Sequence, residues 1–228
     1  MIETSTTLAS VYLERTGLTG GALPALPGLA MRPGQYLLAY APALPGAAPL
    51  ALFPSQVSHE WIRLAPPLPE TWQVGTALQV RGPLGKGFHL TPQFRRVALA
   101  ALASFPHRLL PLLHAALLQK SEVALYSDLV PPGLPPEVEV LPLSHLPEAG
   151  AWADYLALDL EPASLPGLRK LFGLRPHDPL PEGEALVYTP MPCGGRAECG
   201  VCAVPIRRGS WRLACKDGPV FSLKELEL

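Results

Sequence analysis

The chain has 228 residues, 48% apolar, 7% aromatic and only 16% charged, against a usual charged share of about 25%. Eighteen Lys and Arg face nineteen Asp and Glu, a formal net charge of −1, which excludes a general electrostatic attraction to nucleic acid or anionic membranes. The length suits one large or two modest domains with a buried core, and 29 prolines with 20 glycines stay below the roughly 25–30% at which low-complexity disorder is the better reading.

In chain order, the N-terminal MIETSTTLASVYLERTG carries two acids and alternates polar with apolar residues, so no signal peptide is expected and a cytoplasmic protein is. Residues 1–92 read as short strands between turns: TTLASVYLE alternates, RPGQYLLAYAP has a Pro-Gly entry and an apolar run, and SHEWIRLA and ALQVRGPLG follow. A small antiparallel β-barrel is the economical reading. From Arg95 the rhythm changes. RRVALAALAS is a buried-strand run, PHRLLPLLHAALLQK has helical spacing, and EVALYSD, EVEVLPL, DYLALDLE, the helix-like PASLPGLRKLFGL and GEALVYTP continue the alternation. Residues 93–190 are therefore expected to form a mainly parallel sheet covered by helices. The most apolar stretch is interrupted by Pro106, His107, Arg108, Pro111 and His114, too often for a transmembrane helix. Prolines cluster between apolar runs, as in PPLPE and DPLPEGE, where a fixed φ lowers unfolded-state entropy and hints at heat adaptation.

Residues 191–228 hold all four cysteines, spaced Cys193-x5-Cys199-x2-Cys202-x12-Cys215. Two disulfides in the tail of a chain without a secretion signal would be an unusual design. Structural zinc would be satisfied by four thiolates, but zinc ribbons present two short cysteine knuckles and this chain has one. A 2Fe-2S cluster is the third reading, because the spacing is one residue from the plant-type C-x4-C-x2-C with a distant fourth cysteine. Chemistry favours it. An anionic cluster needs tight turns and inward N–H groups, and Gly194, Gly195 and Gly200 lie between the ligands, where positive φ is allowed. Arg196, Arg207 and Arg208 would offset charge or sit solvated on the surface. Val201, Ala203, Val204 and Trp211 would keep water from the cluster or belong to an ordinary core.

The tail CGVC…CKDGPVF, with PGQY at residues 33–36 and GPLGKGF at 82–88, resembles the electron-transfer subunit of dihydroorotate dehydrogenase, within the ferredoxin-NADP reductase-like flavoproteins. The resemblance implies a flavin-binding barrel (1–92), an α/β nucleotide-binding domain (93–190) and a 2Fe-2S domain (191–228). It further implies electrons passing from NADH through FAD and the cluster to a catalytic partner subunit, in a hetero-oligomer serving pyrimidine biosynthesis. Carried over, the cluster ligands are Cys193, Cys199, Cys202 and Cys215, with one extra residue in the first loop. Gly82, Pro83, Leu84, Gly85, Lys86 and Gly87 are the carried-over cofactor-binding residues, their backbone N–H groups and one cation facing a phosphate, or else a glycine-rich hairpin loop closing the barrel.

Two departures shape the functional expectation. The family's Arg-Pro-x-Ser stretch, whose arginine neutralises the FAD pyrophosphate, corresponds to APLALFPS, so with Pro49 as the proline the arginine and serine positions hold Ala48 and Ala51. FAD is therefore expected to be substoichiometric unless Arg63, Arg81 or Lys86 replaces the missing charge. The glycine run that admits NAD phosphates to a helix N-terminus is replaced by ALASFPH, with Ser104, Phe105, Pro106 and His107 blocking approach. Weak or no NADH binding is expected, and His107 and Arg108 are expected at solvent. The reading is electron transfer through 2Fe-2S with altered flavin and NAD sites and no acid, base or nucleophile; the alternative is a non-redox regulatory subunit whose cysteines hold structural zinc.

Overall fold

The computed structural model describes residues 1–14, 17–44, 46, 48–102, 105–175 and 177–228. Its first body contains β1 (Ile2–Thr7), β2 (Ser10–Leu13), β3 (Thr19–Pro24), β4 (Tyr36–Tyr40), β5 (Leu50–Leu52), β6 (Pro54–Val57), β7 (Trp61–Leu64) and β8 (Ala77–Leu84). They form two four-stranded antiparallel sheets, ordered β1-β8-β4-β5 and β2-β3-β7-β6. The alternating run TTLASVYLE, expected as one strand, is divided between both sheets. The chain turns a corner where the Leu8 N–H donates to Thr76 O and the next one, Ala9, donates to Ala22 O, so the pairing partner changes within one residue. Phe53 makes the matching corner between β5 and β6. Strands β3, β5 and β6 escaped the sequence reading because they are short, glycine-rich or proline-led.

Side-chain alternation gives this barrel two buried faces. In β4, Leu37 and Ala39 enter the interior core with Leu8, Leu23, Leu52 and Ile62, whereas Tyr36 and Leu38 join the larger core shared with the rest of the protein. In β8, Leu78 and Val80 point inward, which sends Gln79 and Arg81 to the other side.

The second body runs β9 (Arg96–Ala101), α1 (Leu110–Leu118), β10 (Glu122–Tyr126), β11 (Glu139–Leu141), α2 (Leu146–Trp152), β12 (Tyr155–Leu160), α3 (Leu168–Leu171) and β13 (Gly183–Val187). The tail adds β14 (Ala203–Ile206), β15 (Ser210–Leu213), α4 (Ala214–Asp217) and β16 (Val220–Ser222). The main sheet is ordered β11-β10-β9-β12-β13-β16, its first five strands parallel and β16 antiparallel to β13. Central β12 is buried along its whole length, which is why it is a continuous apolar run rather than an alternation. The helical readings need shortening. Pro106–Leu109 and Pro162–Gly167 are 3-10 turns ahead of α1 and α3, and Pro166 lies inside the second, where a missing N–H and ring sterics disfavour α-helix. Helix α2 was not read from SHLPEAGAW. None of the helices described is long and apolar enough to cross a membrane.

His107 and Arg108 do not lie at solvent; they are 7% and 5% exposed. The reason is a carboxylate inside the sheet. Asp159, fully buried in β12, accepts from Arg108 Nε at 2.9 Å and from its Nη2 at 3.0 Å, and the guanidinium carbon lies 4.2 Å from the Tyr188 ring centroid. Burial pushes the Asp159 carboxyl up, and the Arg108 charge pulls against it. Arg108→Ala, by leaving this carboxylate unpaired, is expected to cost about 3–5 kcal/mol, read as a lowered urea midpoint; a midpoint within about 0.5 kcal/mol of wild type would refute the assignment.

Candidate metal centre

The twelve residues between Cys202 and Cys215 are an antiparallel hairpin. Ala203 pairs with Leu213 and Ile206 with Ser210, so the chain leaves Cys202 and returns beside it, where the Ala214 N–H donates to Cys202 O at 2.9 Å. Cys215 sits one residue further, in α4. On the other side, Gly194, Gly195, Ala197 and Gly200 all have positive φ, at 66°, 73°, 63° and 70°, a tight winding that glycine tolerates readily and alanine does not. The extra residue of the first loop is thereby absorbed.

The winding turns N–H groups toward sulfur. The Glu198 N–H foremost, then the Cys199 side chain and the Cys199 and Arg196 N–H groups, hold the Cys193 thiol down to about 6 against its burial. Burial pushes the Cys215 thiol up to about 11, together with its hydrogen bond to Cys202, while the Ala197 N–H opposes. All four cysteines are free of disulfides. The Cys199 side chain lowers the Cys193 thiol and the Cys202 side chain raises the Cys215 thiol, while among the described residues no three metal-ligating side chains form one set. Positive-φ turns that direct N–H groups at thiols suit an anionic iron-sulfur group.

Exposure among the four cysteines is graded: Cys202 is buried, Cys193 and Cys215 half-buried and Cys199 exposed. Val204 is fully buried behind them, but Val201 and Trp211 are 53% and 65% exposed, so these two do not shield the site as expected. Hairpin alternation faces Trp211 outward. Arg196, Arg207 and Arg208 are solvated. From the barrel, the Tyr36 hydroxyl donates to Cys215 O at 3.5 Å and Arg81 Nη2 to Gly194 O at 2.8 Å; neither contact was legible in the cysteine spacing.

The segment Gly82, Pro83, Leu84, Gly85, Lys86, Gly87 lies where barrel and tail meet. A β-carbon at Gly82 would meet Leu37 Cδ2, at Gly85 would stand 2.5 Å from Pro219 Cδ, and at Gly87 2.6 Å from Pro33 O. Close chain packing thus accounts for all three glycines. The Lys86 N–H donates to Gly218 O at 2.6 Å, and its side chain is exposed. Of the proposed flavin segment, Ala48 is exposed, while Pro49 borders Gly194. Pro54 and Ser55, preceded by buried Phe53, form the strand that faces the α/β body. Ala48, at the arginine position, brings no cation.

In an open α/β sheet, ligands enter the crevice beyond the carboxyl ends of the strands. Here that crevice contains the Arg108–Asp159 pair and an aromatic line, Tyr36 to Phe53 at 5.6 Å and Phe53 to Tyr188 at 6.0 Å between ring centroids. Phe105 and buried Pro106 precede α1; Ser104 lies outside the described residues. His107 Nε2 stands 3.5 Å from Glu14 Oε1, and its Nδ1 is buried without a partner.

Residues 190–227 match the family model described as the iron-sulfur cluster binding domain of dihydroorotate dehydrogenase B. The C-terminal segment is similar to that iron-sulfur domain. The whole fold is shared with solved flavoprotein reductases. An NADH-dependent reduced ferredoxin-NADP oxidoreductase superposes with a TM-score of 0.74 at 14% identity, covering 97% of this chain and 89% of its own. The ferredoxin reductase of carbazole 1,9a-dioxygenase gives 0.58 at 18%, covering 75% and 65%, and the Amycolatopsis cytochrome P450 reductase GcoB gives 0.57 at 19%, covering 78% and 67%. No curated protein sequence matches the chain. The protein is similar to the electron-transfer subunit of dihydroorotate dehydrogenase B in its iron-sulfur domain and in its reductase-like fold.

Burial of the His107 ring depresses its pKa, outweighing the Glu14 carboxylate. A folded value below the unfolded one, roughly 6.5, means the unfolded chain binds more protons between the two, so this stability is present above about pH 6.5 and is lost as pH falls from there through the folded value. His107→Gln is expected to flatten the fall in thermal midpoint between pH 7.5 and 5. Parallel wild-type and variant curves would contradict it.

Proposed function

We propose that the protein is an electron-transfer subunit in which Cys193, Cys199, Cys202 and Cys215 hold one 2Fe-2S cluster, a cysteine pair on each iron. The observation that carries this reading is the run of positive-φ residues Gly194, Gly195, Ala197 and Gly200 winding between three cysteines, with a hairpin that returns Cys215 beside Cys202, in the segment matched to an iron-sulfur family. Once bound, the cluster would supply one-electron storage and release. The chain's own part is to hold four thiolates, offset their charge with backbone N–H groups, bury Cys202 and leave Cys199 at the surface for exchange with a partner. No proton transfer or covalent step is required of any side chain. The division of labour is residues 1–92 as barrel, 93–190 as α/β body and 191–228 as cluster domain, with β16 tying the last to the second. The partner is a catalytic oxidoreductase subunit of the dihydroorotate dehydrogenase kind, in a hetero-oligomer, and four free thiols suit the cytoplasm.

The same reading gives this member altered flavin and NAD sites. What supports it is the lining of the junction: the Arg108–Asp159 pair, Phe53 and Tyr188 pack together beside the strand ends, and Pro106 and His107 replace a glycine turn. On this reading FAD is held substoichiometrically and NADH only weakly. A cavity of about 400 Å³ remains between the barrel and α1, lined by Arg32, Gln35, Gln56 and His114 among others.

The cluster assignment is tested by anaerobic reconstitution. Cys199→Ser and Cys202→Ser are each expected to lose most of the iron, the acid-labile sulfide and the dithionite-bleachable visible bands; full retention of iron and sulfide in both would sink the assignment, and a colourless zinc-loaded wild type would favour the regulatory alternative. The cofactor reading is tested separately. The purified protein is expected to carry less than one FAD per chain, and calorimetry with NADH is expected to give no dissociation constant in the low micromolar range. Tight stoichiometric FAD would restore a flavin-to-cluster pathway and direct attention to the Arg32 cavity.

A further inference from the structure

Arg81 reaches the cysteine loop from outside the iron-sulfur segment, and its chemistry there is unspent. Strand alternation in β8 turns it away from the barrel interior toward the tail, and its Nη2 donates to Gly194 O at 2.8 Å, on the residue directly after Cys193. A β-carbon at Gly195 would stand 3.9 Å from Nη2 and 4.0 Å from Cys215 Cβ, so the guanidinium lies against the same short loop that approaches the fourth cysteine. Its positive charge has no salt-bridge partner among the described residues, although Glu3 is its register partner in β1. Glu3, Arg196 and Glu198 share with it the lining of a cavity of about 440 Å³ beside Cys193. Its Nε is buried with no hydrogen-bond acceptor. A half-buried cation with one contact to a carbonyl and one orphaned donor is an expensive arrangement, unless negative charge arrives nearby.

We infer that Arg81 is a positioning and charge-setting residue for the metal centre: it pins the Gly194–Gly195 turn and, as a fixed cation, favours the reduced state of the bound cluster. The inference rests on the 2Fe-2S reading above. Addition of an electron makes a thiolate-ligated cluster more negative, so a nearby cation stabilises the reduced form more than the oxidised one. In a half-buried site that effect is screened less by salt than at an open surface.

The test compares full-length wild type with Arg81→Lys, Arg81→Gln and Arg81→Met after anaerobic reconstitution, measuring iron and sulfide per chain and an electron-paramagnetic-resonance redox titration. At the wild-type midpoint, Arg81→Gln and Arg81→Met are expected to shift the oxidised-to-reduced ratio at least tenfold toward oxidised, which is 59 mV for a one-electron couple. Arg81→Lys should stay within twofold. Loaded neutral variants with an unchanged ratio, or a lysine variant displaced as far as the neutral ones, would overturn the inference. If both neutral variants stay empty, full loading of Arg81→Lys supports the countercharge and its failure to load overturns it. Absence of cluster from the wild type would instead defeat the 2Fe-2S reading itself, and the role of Arg81 with it.

Discussion

The arrangement of the whole molecule hangs on a short stretch of backbone, residues 218 to 222. The Gly218 carbonyl accepts from the Lys86 N–H of the barrel, the Pro219 carbonyl from the Val187 N–H, and β16 adds itself to the edge of the α/β sheet. These are main-chain bonds, so they specify position without depending on side-chain identity. Because α4 and Cys215 immediately precede this stretch, anchoring it fixes the fourth cysteine relative to both larger bodies. The glycines of GPLGKGF make sense in that light: they let the barrel's last strand and the loop after it approach the tail closely enough for the bonds to form.

A second constraint acts between the bodies. Where barrel and parallel sheet meet, the Arg108–Asp159 pair and the rings of Tyr36, Phe53 and Tyr188 pack in sequence. An ion pair enclosed this completely contributes less to net stability than an apolar replacement would, while losing one partner is costly. Its effect is therefore to specify one packing of the 3-10 turn and α1 against β12 rather than to add stability. The aromatic line from Tyr36 to Tyr188 continues the same filled layer up to the loop that carries the cysteines.

Much of this was legible in the residues, for reasons that can be stated. The parallel sheet announced itself through runs such as RVALAA and YLALDL, whose lack of alternation is what burial on both faces requires. The cysteine-rich tail stood out because its four thiols are spaced close to the intervals of a plant-type iron-sulfur loop. What escaped was whatever depends on contacts between distant segments. A corner at Leu8-Ala9 looks like uninterrupted alternation, since changing sheets does not change the period of side chains. His107 and Arg108 look like a solvated helix start, since nothing in FPHRLL discloses that an aspartate 51 residues later awaits the guanidinium. Trp211 reads as core by type but sits on the outer face of a two-stranded hairpin with no second layer over it. Arg81 was noticed only as a spare cation for a phosphate, and its contact with Gly194 spans 113 positions.

The hairpin between the third and fourth cysteines also limits how this protein can change over generations. Pairing of β14 with β15 brings Cys215 back beside Cys202, and each strand presents its faces with a period of two. Lengthening or shortening one arm by a single residue would rotate every later side chain to the opposite face and swing the fourth thiol away. Insertions of one residue in each arm together, or additions confined to the Arg207–Gly209 turn, preserve the register. Relatives that keep this architecture should therefore differ in that interval by paired steps or by turn length, whereas the coiled loop between Cys193 and Cys199, which has no strand register, can absorb a lone extra residue.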